Sequence, residues 1–391
     1  MELRQNQKYA LSFVIAIILL LISFFWQNSN FSYGDEQKIM EQSSLLRHYL
    51  FKNKQSDNSN SYLFINVSHD LELISQEDGL GNEVITDRGK LAQFFRILQQ
   101  NPSAHKFVFS DIFLQGSSPN DSSLQASIDG LDRLVFPTHF DEMGNIEKTV
   151  IDVPLGLADY SKATSGFFKF KINQSDSLKT IPQILYESIE GKKLETSSIF
   201  WPINNLIIDH QIRPFDFENS DQFAKVDLSE LLVLPEELVL DEFVKDKILL
   251  IGNFESDVHE TIAGNSPGTL ILLNVYLSLK DSNHLIKPLW LIFMLLMLSV
   301  LSYFLLFRTK RSIEKRRIRW IGPLLASATF FTILSMLSHI LFNQPIQILL
   351  LTLLCNALVY VMQLYDNKWR PKHLLDWAKN KRDHFLKPIQ S

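Results

Sequence analysis

The stretch DKILLIGNFESDVHETIAGNSPGTLILLN, from Asp246 to Asn274, carries the reading of the fold. The apolar run KILLIG (247–252) ends in a glycine and predicts a short buried strand. A polar loop follows with Glu255, Asp257, His259 and Glu260, and then Pro267–Gly268 opens a helical segment, PGTLILLNVYLSL (267–279). Strand, loop and helix in succession make the local unit of an α/β domain. The loop itself admits three readings: a nucleotide cradle, a metal site or a connection. GNFESD matches neither the Gly-rich dinucleotide turn nor GxxxxGK[ST], and no lysine follows that could reach a phosphate. Asp257 and His259 make two ligands, whereas zinc takes about three or four from the protein. The connection reading has Asp257 accepting from loop amides, with Gly252 and Gly264 allowing turns. Loops at the carboxyl ends of strands are nevertheless where open α/β sheets bind ligands.

The same alternation runs upstream. SYLFINV (61–67) and KFVFSDIFL (106–114) read as short apolar strands, and DRGKLAQFFRILQQ (87–100) between them as an amphipathic helix capped by Asp87. NDSSLQASIDGL opens a further helix at Asn120 or Asp121, followed by the strand RLVFP. GFFKFKI (166–172), the helix TIPQILYESIEG and NLIID (205–209) continue the pattern. The predicted fold class is therefore α/β, a single domain with a mostly parallel sheet flanked by helices. QKIMEQSSLLRHYLF, ahead of all this, has helical spacing and reads as a helix leaving the membrane.

That membrane is inferred from four stretches without charged side chains: 9–26, 289–307, 320–342 and 345–365. Each approaches the roughly 20 residues that cross a bilayer core. For the first, a cleaved signal peptide is the rival reading, but QNSNFSYG lacks a small-x-small cleavage pattern. Arg4 and Lys8 precede the first stretch, and lysines and arginines crowd the loop RTKRSIEKRRIR (308–319) and the tail 366–391; the positive-inside rule assigns all three to the cytoplasm. Residues 27–288 are then extracytoplasmic. Because the formal net charge of −5 includes those basic segments, the outer domain is more acidic still. Nucleic acid is excluded as a partner on that ground. The single cysteine, Cys355, lies in the fourth stretch, so no disulfide or cysteine metal site is available outside.

An anchor, a long outer α/β domain and a cluster of C-terminal spans resemble the second type of the CHASE family of bacterial sensory domains. FINVSHD resembles its first strand with a trailing acid, FVFSDIFL its aspartate-bearing strand, and NDSSLQASI the helix that follows. GLADYSKATSGFFKFKI with TIPQILYESI resembles the middle section, and VKDKILLIGNFESDVHETIAGNSPGTLILLNVYLSL the closing strand, loop and helix. The resemblance implies a signal-input protein of the bacterial cytoplasmic membrane that senses an extracytoplasmic ligand or protein. Family members continue into an output domain, whereas this sequence ends after its basic tail. The expectation is a separate cytoplasmic signalling partner, with the tail either docking it or lying along the inner leaflet.

Candidate ligand-binding residues are Asp70, Asp111, Asp257 and His259. Asp111 falls on an apolar strand, where an unpaired carboxylate is costly, so it either faces a cleft at the strand end or is paired inside. Asp70 occupies a similar place after FINVSH. If the sheet is parallel, Asp70, Asp111 and Asp257 converge at one edge; the alternative is three separate structural acids. No GxSxG or HExxH motif is present, so neither an enzyme nor a cofactor or bound metal is expected. A scaffold subunit and a transport component are the alternatives to a sensor. The spans carry no charged residue to mark an ion path; His339 is read as interfacial, and Asn356 and Gln363 as bonds between helices.

Overall fold

A computed structural model describes residues 5–28, 34–51, 60–75, 81–159, 167–175, 177–198, 201–218, 223–304 and 321–366. The chain divides into two compact units. One holds residues 1–26, 288–335 and 346–391; the other holds 27–287 with 336–345.

The second unit begins, after helix α1 (Gln5–Gln27), with helix α2 (Gly34–Phe51). Strand β1 (Tyr62–Asn66), the hairpin β2 (Leu71–Ser75) and β3 (Asn82–Thr86), and helix α3 (Arg88–Gln100) follow. Then come β4 (Phe107–Ser110), α4 (Asp121–Ile128), β5 (Leu134–Thr138), β6 (Leu155–Leu157), β7 (Lys169–Lys171) and α5 (Ile181–Glu190). The two-residue strands β8 (Ser197–Ser198) and β9 (Trp201–Pro202) precede β10 (Asn205–Ile207), α6 (Pro214–Glu218), β11 (Ala224–Asp227) and α7 (Leu228–Val233). A short α8 (Glu236–Leu238), continued by a π-helical turn over Val239–Val244, leads into β12 (Ile248–Gly252). A second hairpin, β13 (Val258–Thr261) and β14 (Gly264–Pro267), ends at α9 (Gly268–Lys280).

Six strands form one sheet in the order β11-β1-β12-β4-β5-β6, every pair parallel. The α/β expectation with a parallel sheet is thus what the molecule has. Alternation along each strand divides the core in two. Tyr62, Phe64, Phe107, Phe109, Ile248 and Leu250 face α5 and α9. Leu63, Ile65, Val108, Phe136, Leu249 and Ile251 face α3, α4 and α7. A strand covered on both faces has no polar side, which is why KILLIG and YLFIN read as unbroken apolar runs. Helix α9 is buried on every side from Gly268 to Leu279, so it too lacks a polar stripe. Each such Leu, Ile or Phe contributes about 1.5–3 kcal/mol of burial.

Helix ends follow local chemistry. Asp87 accepts from the Lys90 amide at 3.0 Å and caps α3 as predicted. Thr180 precedes α5, Pro182 lies in its first turn, and Gly191 stops it in the left-handed conformation at φ 66°. Asp121 departs from the expected capping role. Asn120 is the N-cap residue but makes no side-chain cap bond. Asp121 instead accepts from the Ser118 amide at 2.9 Å and pairs with the buried guanidinium of Arg88. NLIID does form a strand, over Asn205–Ile207, but β10 pairs antiparallel with β7 as a ladder outside the main sheet.

In the same unit, α2 meets the last turn of the helix Ile321–Phe342. Ser43 Oγ lies 2.6 Å from His339 Nδ1, and Arg47 donates to the Ile340 carbonyl at 2.6 Å and to Asp209 at 2.9 Å. His339 is therefore a buried hydrogen-bonding group near the end of its helix.

The first unit contains α1, α10 (Pro288–Tyr303), α11 (Ile321–Phe342, its final turns excepted) and α12 (Ile348–Asp366). Among the described residues one helix, over Gln5–Phe25, is long and apolar enough to cross a membrane; Pro288–Tyr303, Ser327–Phe342 and Ile348–Leu358 are shorter apolar stretches. Tyr9 stacks on Tyr303 with centroids 5.2 Å apart, and Phe24 packs against Trp290. Asn356 donates to Ser327 Oγ at 2.7 Å, the interhelical bond expected of it. The Gln363 side chain, the loop 308–319 and the tail beyond 366 lie outside the described residues.

Candidate functional site

The five strands from β1 to β6 open at their carboxyl ends into one cleft of about 570 Å³. The strand ends deliver its floor: Val67 follows β1, Asn253 follows β12, Asp111 follows β4 and His139 follows β5, each by one residue, while Asp159 lies two beyond β6. The hairpins supply walls, Val84, Ile85 and Thr86 from β3 and His259 from β13. This is the edge at which parallel α/β sheets hold ligands, because the strand-to-helix loops converge there.

Asp111 is the centre of the site. The strand KFVFSDIFL stops at Ser110, so Asp111 is the first residue beyond it, at the mouth of the cleft. Its amide donates to the Ile251 carbonyl at 2.7 Å, which ties the turn to β12. Its Oδ2 accepts from Thr269 Oγ1 at 3.0 Å, and no described donor bonds Oδ1. Burial, reinforced by the charge of Asp257, pushes its carboxyl up to about 7, although Thr269 and the two histidines oppose that rise.

Two His–Asp pairs flank it. His139 Nδ1 lies 3.1 Å from Asp159 Oδ1, and His259 Nε2 lies 3.0 Å from Asp257 Oδ1. Each imidazole also meets a phenylalanine edge to face: Phe113 with His139 at 5.5 Å and 82°, Phe167 with His259 at 5.5 Å and 85°. The hydrogen bond that each imidazole donates to its own carboxylate holds it above its ordinary value, with Asp111 adding to both. Asp111 and the two imidazoles are thus all held above their ordinary values, with Phe113 and Phe167 packed against the rings.

The glycine that ends KILLIG finds its explanation here. A Cβ on Gly252 would collide with Thr269 Oγ1, the group that holds Asp111. Gly252 therefore lets the first turn of α9 approach the sheet. The loop GNFESD is an Asx turn: Asn253 Oδ1 accepts from the amides of Glu255 at 3.1 Å and Ser256 at 2.9 Å. Asn66 reaches across from β1 to accept from the Phe254 amide at 3.3 Å.

Of the four predicted residues, Asp111, Asp257 and His259 come together. Asp70 does not. It is 1% exposed, ion-paired with Lys90 Nζ at 2.7 Å and bonded to the Ser229 amide, fastening α3 and α7 behind the sheet edge. Its correction has a simple cause: the turn Val67–Asp70 carries it away from the strand axis, into reach of a lysine that the capping of α3 has positioned. Sequence reasoning missed His139, Asp159, Phe113 and Thr269. One available signal was RLVFP, since the residues just past that predicted strand include His139. Asp159 follows a strand of three residues within the apolar stretch VPLGLA, where Pro154 and Gly156 weaken the strand signal.

Among the described residues no group of three or more His, Cys, Asp or Glu is placed to hold a metal ion. Among the described lining residues there is also no serine or cysteine to serve as a nucleophile. The arrangement is suited to binding and to exchanging protons with what it binds. Comparison of the chain with protein-family models, curated proteins and solved structures found no match.

Proposed function

We propose that this chain is a signal-input protein of a bacterial cytoplasmic membrane, with residues 27–288 outside, four helices crossing at 9–26, 289–307, 320–342 and 345–365, and both termini inside. Its outer domain resembles a CHASE sensory domain of the second type and acts by binding a ligand. The observation that carries the reading is the cleft at the carboxyl edge of the parallel sheet, with Asp111 between two His–Asp pairs. The hydrogen bonds from α2 to residues 339 and 340 support it further, since a ligand-dependent shift of the domain would be felt there. The basic loop and tail would present that shift to a separate cytoplasmic partner.

Two measurements test it. In a Cys355→Ser background, a cysteine at Met143, which is 89% exposed, should react with an impermeant maleimide in intact cells. A cysteine at Ser312 should react only after permeabilisation; the reverse pattern would refute the topology. A small-molecule thermal-shift screen of the full chain in detergent should find a saturable stabiliser, growing as RT ln(1 + [L]/Kd), that a folded Asp257→Ala variant no longer feels. A chain that melts cooperatively and answers to nothing would be a scaffold.

A further inference from the structure

We propose that the cleft takes a small organic cation, of the monoamine to polyamine class, seated between the carboxylates of Asp111, Asp159 and Asp257 and the rings of Phe113 and Phe167. This deepens the sensory reading and rests on it, by saying what kind of molecule that site recognises.

Charge excludes the opposite class of ligand. The described lining contains Glu83, Asp111, Asp159 and Asp257 and no lysine or arginine. Both histidines are already bonded to acids of their own, so they offset the negative charge without reversing it. An anion entering here would lose its water and find no cation in exchange.

The floor asks for a donor. Asp111 is half-buried at the mouth of the cleft, with Thr269 serving Oδ2 and nothing among the described residues bonding Oδ1. Withdrawing a carboxylate from water is costly until a donor or a counter-charge is supplied. An ammonium group supplies both, with three N–H bonds on one positive centre. That a carboxylate is kept in such a place, at the meeting point of several loops, is the arrangement expected of a recognition group.

The walls choose between kinds of cation. A bare divalent ion needs six to eight oxygens, or near-octahedral geometry, converging within about 2.0–2.6 Å. The described residues offer no such group. Phe113 and Phe167 instead present aromatic surface, and Leu71, Val84 and Pro137 add an apolar path. An alkylammonium uses both, its charge attracted to the ring faces and its methylenes leaving water. The volume, about 570 Å³, is in the range of small-molecule sites.

Binding should weaken in acid. The titrating groups facing the cleft are Glu83, Asp111, Asp159, Asp257, His139 and His259. As pH falls from about 8 to about 5, Asp111, raised to about 7, takes up a proton, and the two histidines become cationic. Every one of these changes removes negative charge.

The test is calorimetry on the full chain in detergent with putrescine and spermidine, with 1,4-butanediol and succinate as the neutral and anionic controls. Saturable amine binding without diol or succinate binding is expected, about tenfold or more weaker at pH 5 than at pH 8 and lost to a similar degree in Asp111→Asn. Circular dichroism of that variant checks its fold. Amine binding that is unchanged in Asp111→Asn belongs to the acidic surface and overturns the inference. A cleft that ignores amines yet binds a neutral or anionic compound, lost in Asp257→Ala, overturns the cation class and leaves the sensory reading standing. No binding of any compound overturns both.

Discussion

Asparagine at position 111 is expected to raise the thermal midpoint of the chain by several degrees at pH 8 and to leave it nearly unchanged at pH 4. The folded carboxyl titrates at about 7 against an ordinary value of 3.8. Between those values the native state holds a proton that the unfolded state has released, so stability falls as pH rises. The contribution is fully present below about 4, is lost progressively toward 7 and is flat above. At about 1.4 kcal/mol per unit, some three units correspond to roughly 4 kcal/mol, of which about 2–4 kcal/mol should be recovered by Asp111→Asn. Asparagine keeps an oxygen for Thr269 Oγ1 to donate to, so the loop geometry is retained. His139 and His259 act with the same sign, since their values are raised too and the stability they add is lost as pH climbs through them. Melting curves of both proteins across pH 4 to 8 measure this directly. Equal gains at both ends of the range would mean that charge burial is not what Asp111 costs. A destabilising acid kept at the centre of a cleft is the pattern of a group retained for binding.

Asp121→Ala should cost about 3–5 kcal/mol, the largest loss expected from any single surface-proximal acid in the domain. Arg88 is 2% exposed, and Asp121 is its counter-charge. Without it the guanidinium keeps, among the described residues, only the Gln115 carbonyl, at 2.5 Å, and the Ser118 amide loses its acceptor as well. A buried, uncompensated cation is what makes such deletions severe, more than the lost bond itself. Replacing both partners, as Arg88→Met with Asp121→Leu, should restore most of the stability, because neither charge then needs solvation. Urea unfolding followed by tryptophan fluorescence distinguishes the two variants. A double variant as weak as the single one would show that the pair organises α3 and α4 by geometry and not by charge.

Much of the fold was legible along the chain, and for a definite reason. In a parallel sheet covered on both faces, strands lose their polar side and become the short apolar runs YLFIN, FVFS and ILLIG. Amphipathic α3 and α5 announce themselves by the opposite signal, one face in each of two environments. What escaped were β2 with β3, β6, β11 and the β13–β14 hairpin inside the opening loop. Apart from the short, mostly buried β6, their exposed or mixed burial leaves no run of apolar residues to detect, as in LELIS and VHET, whose side chains face water as often as protein.

The site divides in the same way. Sequence by itself determined that Asp111 and Asp257 would follow strands of a parallel sheet, because local hydrophobicity and glycine placement depend only on neighbours in the chain. It also determined the distribution of charge, basic in three segments and acidic between them. Which acids meet was decided by tertiary structure alone. Asp70 and Asp111 both trail a strand, yet one turn delivers its carboxylate to Lys90 while the other opens into a cleft. His139 and Asp159, 20 residues apart, become a pair only because β5 and β6 lie side by side with Phe136 opposite Leu155. Strand order and register act between residues remote in sequence, and no local propensity encodes them.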